Sequence, residues 1–144
     1  MIAVDTNVLL RRLLNDDEHQ AKKANHLFNS NKIILITDVV LAETVWTLKG
    51  KRYNARKEEI EAVIMSLLEE PNVVFESQQT VWSALNDYLL AKPVKTSGGN
   101  KMADFADALI VNKSKITANV RQENYQSTYT FDKAVLQIPG TLEP

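Results

Sequence analysis

Apolar residues open the chain as a short run, Ile2-Ala3-Val4, which predicts a strand. Thr6 to Leu14 follows with Val8, Leu9, Leu10, Leu13 and Leu14 apolar, the pattern of a short helix. From His19 to Asn29, Ala21, Ala24, Leu27 and Phe28 recur at helical spacing and predict a second helix. Ile33-Ile34-Leu35-Ile36 is a continuous β-branched-rich run, which fits a strand buried on both faces of a parallel sheet. Asp38 is placed to N-cap a helix from Val39 to Lys49, and Gly50 stands where a C-cap glycine belongs.

A charged helix is predicted from Ala55 to Glu70, with Ile60, Val63, Ile64, Leu67 and Leu68 on its apolar face and Pro71 stopping it. Val73-Val74-Phe75 predicts a third strand. Ser77 is a candidate cap for a helix from Thr80 to Ala91, which Pro93 ends. Val94 to Lys101 contains Ser97-Gly98-Gly99-Asn100 and predicts a flexible loop. Met102 to Lys113 predicts the last helix, and Thr128 to Phe131 and Leu136 to Ile138 the last two strands. Strands separated by helices imply crossovers, so the pattern predicts a three-layer α/β/α fold with a mainly parallel central sheet. A single domain over residues 1–144 suits this length.

Composition narrows the chemistry. The 44% apolar content supports a core without covalent staples. The chain has no cysteine, which excludes disulfides, zinc–thiolate sites, iron–sulfur clusters and thiol nucleophiles. The 17 Lys and Arg against 18 Asp and Glu argue against an acidic tail or a strongly basic nucleic-acid binder, but leave room for a local acidic site beside a basic face. No basic leader precedes a long apolar stretch, and no apolar run approaches ~18 residues. A cytoplasmic protein without a membrane segment is therefore expected.

The distribution of acids changes the picture most. Open α/β sheets bind ligands at the carboxyl ends of their strands. Asp5 follows the first predicted strand, Glu43 lies in the second turn of the helix after the second, and Asp132 follows Tyr129-Thr130-Phe131. Asp104 and Asp107 lie near the start of the helix that opens at Met102 and, three apart, share one face. The helices carrying Glu43 and Asp107 are apolar nearly all round, which predicts that both are largely buried. A buried ionised carboxylate is costly unless it is paired or binds metal. No Lys or Arg stands within four positions of Asp107 to pair it locally. All-carboxylate ligation suits Mg²⁺ or Mn²⁺, one or two ions, and a metal-activated water is a nucleophile for a phosphodiester. Neither a Ser/His/Asp arrangement nor a P-loop glycine pattern competes.

Each acid also has a plainer reading. Asp5 can serve as the N-cap of the first helix, Asp132 as a turn residue, Glu43 as half of a structural pair, and Asp104 as the cap of its helix. Asp16, Asp17 and Asp38 read as caps or solvated residues, and His19 and His26 as exposed residues of a polar helix face.

Ile2-Ala3-Val4-Asp5-Thr6-Asn7-Val8-Leu9-Leu10-Arg11 resembles the opening of PIN-domain proteins. Leu41-Ala42-Glu43 resembles their second acidic motif, Ala103-Asp104-Phe105-Ala106-Asp107-Ala108-Leu109-Ile110 the third, and Tyr129-Thr130-Phe131-Asp132-Lys133 the fourth. Order, spacing and length resemble the VapC toxin nucleases of bacterial and archaeal toxin–antitoxin pairs. The resemblance implies an Mg²⁺- or Mn²⁺-dependent endoribonuclease with Asp5, Glu43, Asp107 and Asp132 as its acidic quartet and Asp104 as an additional acid. It further implies that Thr6 and Asn7 support the first Asp, that Thr130 fills the Ser/Thr position before the last acid, that the protein is a homodimer, and that an antitoxin occupies the active-site groove. One departure stands out: relatives commonly carry a glycine turn before the fourth acid, and Ile116 to Ser127 has no glycine.

An RNA substrate needs cations near the acids. Arg11 and Arg12 follow the first motif, and Lys49, Lys51, Arg52, Arg56 and Lys57 cluster around one helix junction with Tyr53 among them, a ring able to stack on a base. The plainer reading is a solvated helix end. Two other functional classes fit an α/β chain with acids at its strand ends. One is a catalytically silent interaction module of the same fold. The other is an Mg²⁺-dependent phosphoacceptor signalling domain, disfavoured because no Asp follows Val73-Val74-Phe75.

Overall fold

The computed structural model describes residues 1–144, and the chain forms two compact units, residues 1–78 and 79–144. The first unit carries the parallel sheet. Its strands are β1 (Ile2–Ala3), β2 (Ile34–Ile36) and β3 (Val73–Phe75), in the order β1-β2-β3. Ile2 pairs with Ile34 and Ile34 with Val73, so the isoleucine run supplies the middle strand. Ile34 and Ile36 are fully buried, as the run predicts for a parallel sheet, while Ile33 lies outside the strand and is exposed.

Four helices belong to this unit's chain. They are α1 (Thr6–Leu14), α2 (Glu18–Phe28), α3 (Asp38–Lys49) and α4 (Lys57–Glu69). Helix α1 covers the predicted residues. It opens on Asp5, whose Oδ1 accepts the Val8 N–H at 2.9 Å, and ends at Asn15 in the left-handed region (φ 54°). Helix α2 is capped by Asp17, which accepts the Gln20 N–H at 2.9 Å. Leu9, Ala24, Phe28, Leu41, Ile60, Ile64 and Leu67 line the core between these elements.

Helix α3 departs from expectation at its start. Thr37, not Asp38, is the N-cap, and it accepts the Val40 N–H at 3.4 Å. Asp38 is the first helical residue and is buried, with its backbone N–H donating to Glu76 at 2.6 Å. Gly50 does cap the C-terminus, but at φ −64° it uses none of glycine's left-handed freedom.

The second unit contains α5 (Gln78–Leu90) from its second residue onward, then a hairpin, a long helix and a small parallel pair. The stretch expected to be a flexible loop is the antiparallel hairpin β4 (Val94–Thr96) and β5 (Gly99–Lys101). Ser97-Gly98 forms its two-residue turn and Gly99 takes φ 102°, so the glycines close strands here rather than separate helices.

The last helix, α6, runs Phe105–Val120, starting three residues later and ending seven later than the pattern predicted. Asp104 is extended and caps it, which excludes Met102 and Ala103, and residues 114–120 contain no breaker. Leu136 to Ile138 is not a strand: Val135–Gln137 is a 3₁₀ turn that buries Val135. The last strands are β6 (Thr128–Tyr129) and β7 (Thr141–Leu142), paired in parallel with Thr128 opposite Thr141. Gly140, at φ 93°, makes the turn that brings β7 back. Six α-helices with a parallel sheet make this an α/β fold, in keeping with the predicted α/β/α arrangement. No helix is long and apolar enough to cross a membrane.

Candidate active site

Each unit presents acids of its own. In the first, Asp5 and Thr6 follow β1 directly, and Glu43 lies on α3. The Thr6 hydroxyl donates to Glu43 Oε2 at 2.6 Å, so the first motif and the second meet through a side-chain bond. The family resemblance gave Thr6 to Asp5; in the fold its hydroxyl serves Glu43, while the Val8 amide serves Asp5. Asp5 Oδ1 is thus taken by the helix cap and Glu43 Oε2 by Thr6. The second oxygens, Oδ2 and Oε1, accept no hydrogen bond from the protein. Asn7 is exposed on the first turn of α1.

In the second unit, Asp104 and Asp107 form a capping box at the start of α6. Asp104 accepts the Phe105 N–H at 2.7 Å, and Asp107 Oδ2 accepts the Asp104 N–H at 2.8 Å. Asp132 heads a turn: its Oδ1 accepts the Ala134 N–H at 2.8 Å, and its own N–H donates to Thr130 Oγ1 at 3.0 Å. Thr130 therefore orients the backbone of the fourth acid. Asp107 and Asp132 line one cavity of about 190 Å³ together with Ile110, Tyr129 and Thr130. Asn112, one turn beyond on α6, is buried and donates to Asp87 at 2.8 Å and to the Ala108 carbonyl at 2.9 Å, which fixes α6 against α5. The pairing of Asn112 with Asp87 is not legible in the sequence, because a lone Asn in an apolar helix carries no signal of its partner.

Neither the Glu43 nor the Asp107 carboxylate is as buried as its helix composition predicts. Glu43 is exposed and Asp107 only half-buried. Helix α3 exposes Val39 and Trp46, and α6 exposes Ile110 at 58%, so apolar composition all round did not mean burial all round. Desolvation is therefore not what asks these carboxylates for a cation; their shared oxygen chemistry is the remaining argument. The plainer readings of Asp5, Asp104 and Asp132 are all realised, since each caps a helix or a turn. Capping does not exhaust a carboxylate, which has a second oxygen. Neither unit gathers three or more His, Asp or Glu closely enough to hold a metal ion.

The basic residues divide into two kinds. Arg11 bonds Gln20 and Asp16, both at 2.7 Å, and Arg12 bonds Asn25 at 2.9 Å and Glu70 at 3.0 Å while lying over the Phe28 ring. Both guanidinia thus knit α1 to its neighbours. The hydrogen bond from Arg11 lowers the Asp16 pKa below its ordinary value of 3.8. Tyr53 donates to Asp16 at 3.3 Å, with the Arg52 guanidinium over its ring. Lys51 and Arg52 are exposed beyond the end of α3. Arg56 pairs with Glu59 at 3.0 Å. His19 and His26 are exposed, as expected.

No curated protein matches the chain. The family model described as the PIN domain matches residues 2–118, a span that holds Asp5, Glu43, Asp104 and Asp107 and stops short of Asp132. With that match over most of its length, a parallel β1-β2-β3 sheet and acids after its first strand and on its third helix, the chain belongs to the PIN domain family, a nuclease-type α/β fold that is generally metal-dependent.

Proposed function

We propose that the chain is a single-domain, Mg²⁺- or Mn²⁺-dependent endoribonuclease acting as the toxin of a VapC-like toxin–antitoxin pair in the cytoplasm. Membership of a family of nucleases carries the reading, and the Thr6-supported Glu43 beside the Asp5 motif supports it most directly. The proposed ligands are Asp5, Glu43, Asp107 and Asp132, with Asp104 as an additional acid. Their donor set is all oxygen, which fits a hard divalent ion. When bound, such an ion supplies a lowered water pKa and charge stabilisation at phosphorus.

The chain's own residues do the positioning. The Thr6 hydroxyl fixes the Glu43 carboxylate and turns Oε1 away from itself. The Val8 amide does the same for Asp5, leaving Oδ2, and the Ala134 amide for Asp132, leaving Oδ2. The Asp104 amide holds Asp107 by Oδ2. Asp5, Glu43 and Asp132, each held by one oxygen, are preorganised to offer the other without rearrangement. Lys49, Arg52 and Tyr53 are the proposed contacts to the RNA, a homodimer the proposed assembly, and an antitoxin the proposed occupant of the groove.

The decisive substitution is Asp5→Asn, because Asn also caps helices and keeps the fold. Cleavage of single-stranded RNA with Mg²⁺ or Mn²⁺ should fall by about a hundredfold or more. The parent should lose activity in EDTA and recover it when the ion is restored. Full activity in the variant, or activity indifferent to EDTA, would overturn the reading.

A further inference from the structure

Helix α3 is the most apolar element that the fold fails to cover. Leu41, Val45 and Leu48 are buried on one side, whereas Val39 is 67% and Trp46 72% exposed on the other. Val39, Glu43 and Trp46 are spaced by four and then three residues, so they lie along one face, with the acid between the two apolar side chains. Lys49 stands three residues further on, and the exposed Lys51 and Arg52 follow the helix. Lys57 and Lys49 lie near enough to interact: burial first, and then the Lys49 charge, lower the Lys57 pKa from its ordinary 10.5. The face therefore reads acid, indole, ammonium in successive turns.

That order selects an occupant. Protein–protein contacts deplete charge at their centre, and here the indole is bracketed by Glu43 and Lys49. A nucleotide of a single strand suits the same face, with its base on the ring and its phosphate toward the cations. We propose that the exposed Trp46 indole is a stacking platform for one base of single-stranded RNA, seated one helical turn from Glu43, with the adjoining phosphate directed toward Lys49 and Arg52. This rests on the ribonuclease reading and makes Trp46 a substrate-positioning residue rather than a ligand.

The test compares the parent with Trp46→Ala and Trp46→Phe. Binding of a labelled single-stranded RNA and of its duplex is measured by anisotropy in EDTA at fixed salt, and cleavage with Mn²⁺ is measured separately. Trp46→Ala should weaken single-strand binding about tenfold, the scale of one lost base–ring stack, and raise KM more than it lowers kcat. Trp46→Phe should recover most of that loss, and duplex binding should not change, because paired bases cannot reach the ring. Equal single-strand affinity in Trp46→Ala would overturn the proposal while leaving the nuclease reading intact. So would a Trp46→Ala protein whose only change is its sedimentation mass, which would mark the face as a contact between copies. A parent that neither binds nor cleaves single-stranded RNA would remove the ribonuclease reading itself, and this inference with it.

Discussion

Glu43 takes its hydrogen bond from Thr6, a hydroxyl 37 residues away in sequence. Asp107 takes its bond from the amide of Asp104, three residues away, and Asp132 from the amide of Ala134, two away. Glu43 is positioned by tertiary contact between α1 and α3, whereas Asp107 and Asp132 of the second unit, like Asp5 of the first, are held by the local turns of their own chain. The donors differ in kind as well. A hydroxyl is removed by a single side-chain change, whereas a backbone amide survives every substitution except proline. Glu43 is thus exposed to mutation at a distance, whereas Asp107 depends on whether α6 is correctly seated.

The seating of α6 gives the largest expected effect. Phe105, the first residue of the helix, is fully buried and meets Tyr88 edge-on at 6.0 Å and 83°. Phe105→Ala should cost about 3–5 kcal/mol of stability, read by urea unfolding. A loss under about 1 kcal/mol would mean that the capping box does not need this anchor. Thr6→Val should come next. It should lower RNA cleavage about tenfold, the worth of one charge-assisted bond, with an almost unchanged melting temperature, and Thr6→Ser should restore the rate. Equal rates in Thr6→Val and the parent would erase the contrast between Glu43 and the locally held acids.

The smallest effect concerns Asp16. Arg11 holds its pKa below 3.8 in the folded state, so the stabilisation is present above the ordinary carboxylate value and lost as pH falls through the lowered one. The difference in melting temperature between parent and Asp16→Asn should stay constant above about pH 5 and shrink as pH falls toward 3. A difference that widens on acidification would refute the assignment.

Much of this was legible in the sequence where one residue type dictates one geometry. The isoleucine run fixed the middle strand, and Asp5 with Thr6-Asn7-Val8 marked both the start of α1 and a candidate acid. What escaped is what depends on a distant partner. Gly98-Gly99 says "turn" equally for a loop and for a hairpin, and only the pairing of Val94 with Lys101 decides between them. Leu136-Gln137-Ile138 has strand-like composition, yet its amides close tight turns: Gln137 on Ala134 and Ile138 on Val135. The exposure of Trp46 and Glu43 could not be read from a helix that looks apolar on every side, because periodicity fixes faces but not what lies against them. The four acids were visible as residue types in order; how each carboxylate is held was not.

Gly140, eight residues after Asp132, braces the strand pair that precedes the fourth acid. Its carbonyl receives the Thr128 amide at 2.8 Å, the Tyr125 hydroxyl at 2.8 Å and the Ser127 hydroxyl at 3.2 Å, while Lys115 reaches the neighbouring Pro139 carbonyl at 2.7 Å. A Cβ on Gly140 would come within 2.8 Å of the Lys115 side chain, and its backbone sits at φ 93°. No glycine stands between Ile116 and Ser127, and Gly140 is the one that follows Asp132. A knot of four donors on two consecutive carbonyls thus cross-braces the segment that pairs β7 with β6, just ahead of Asp132.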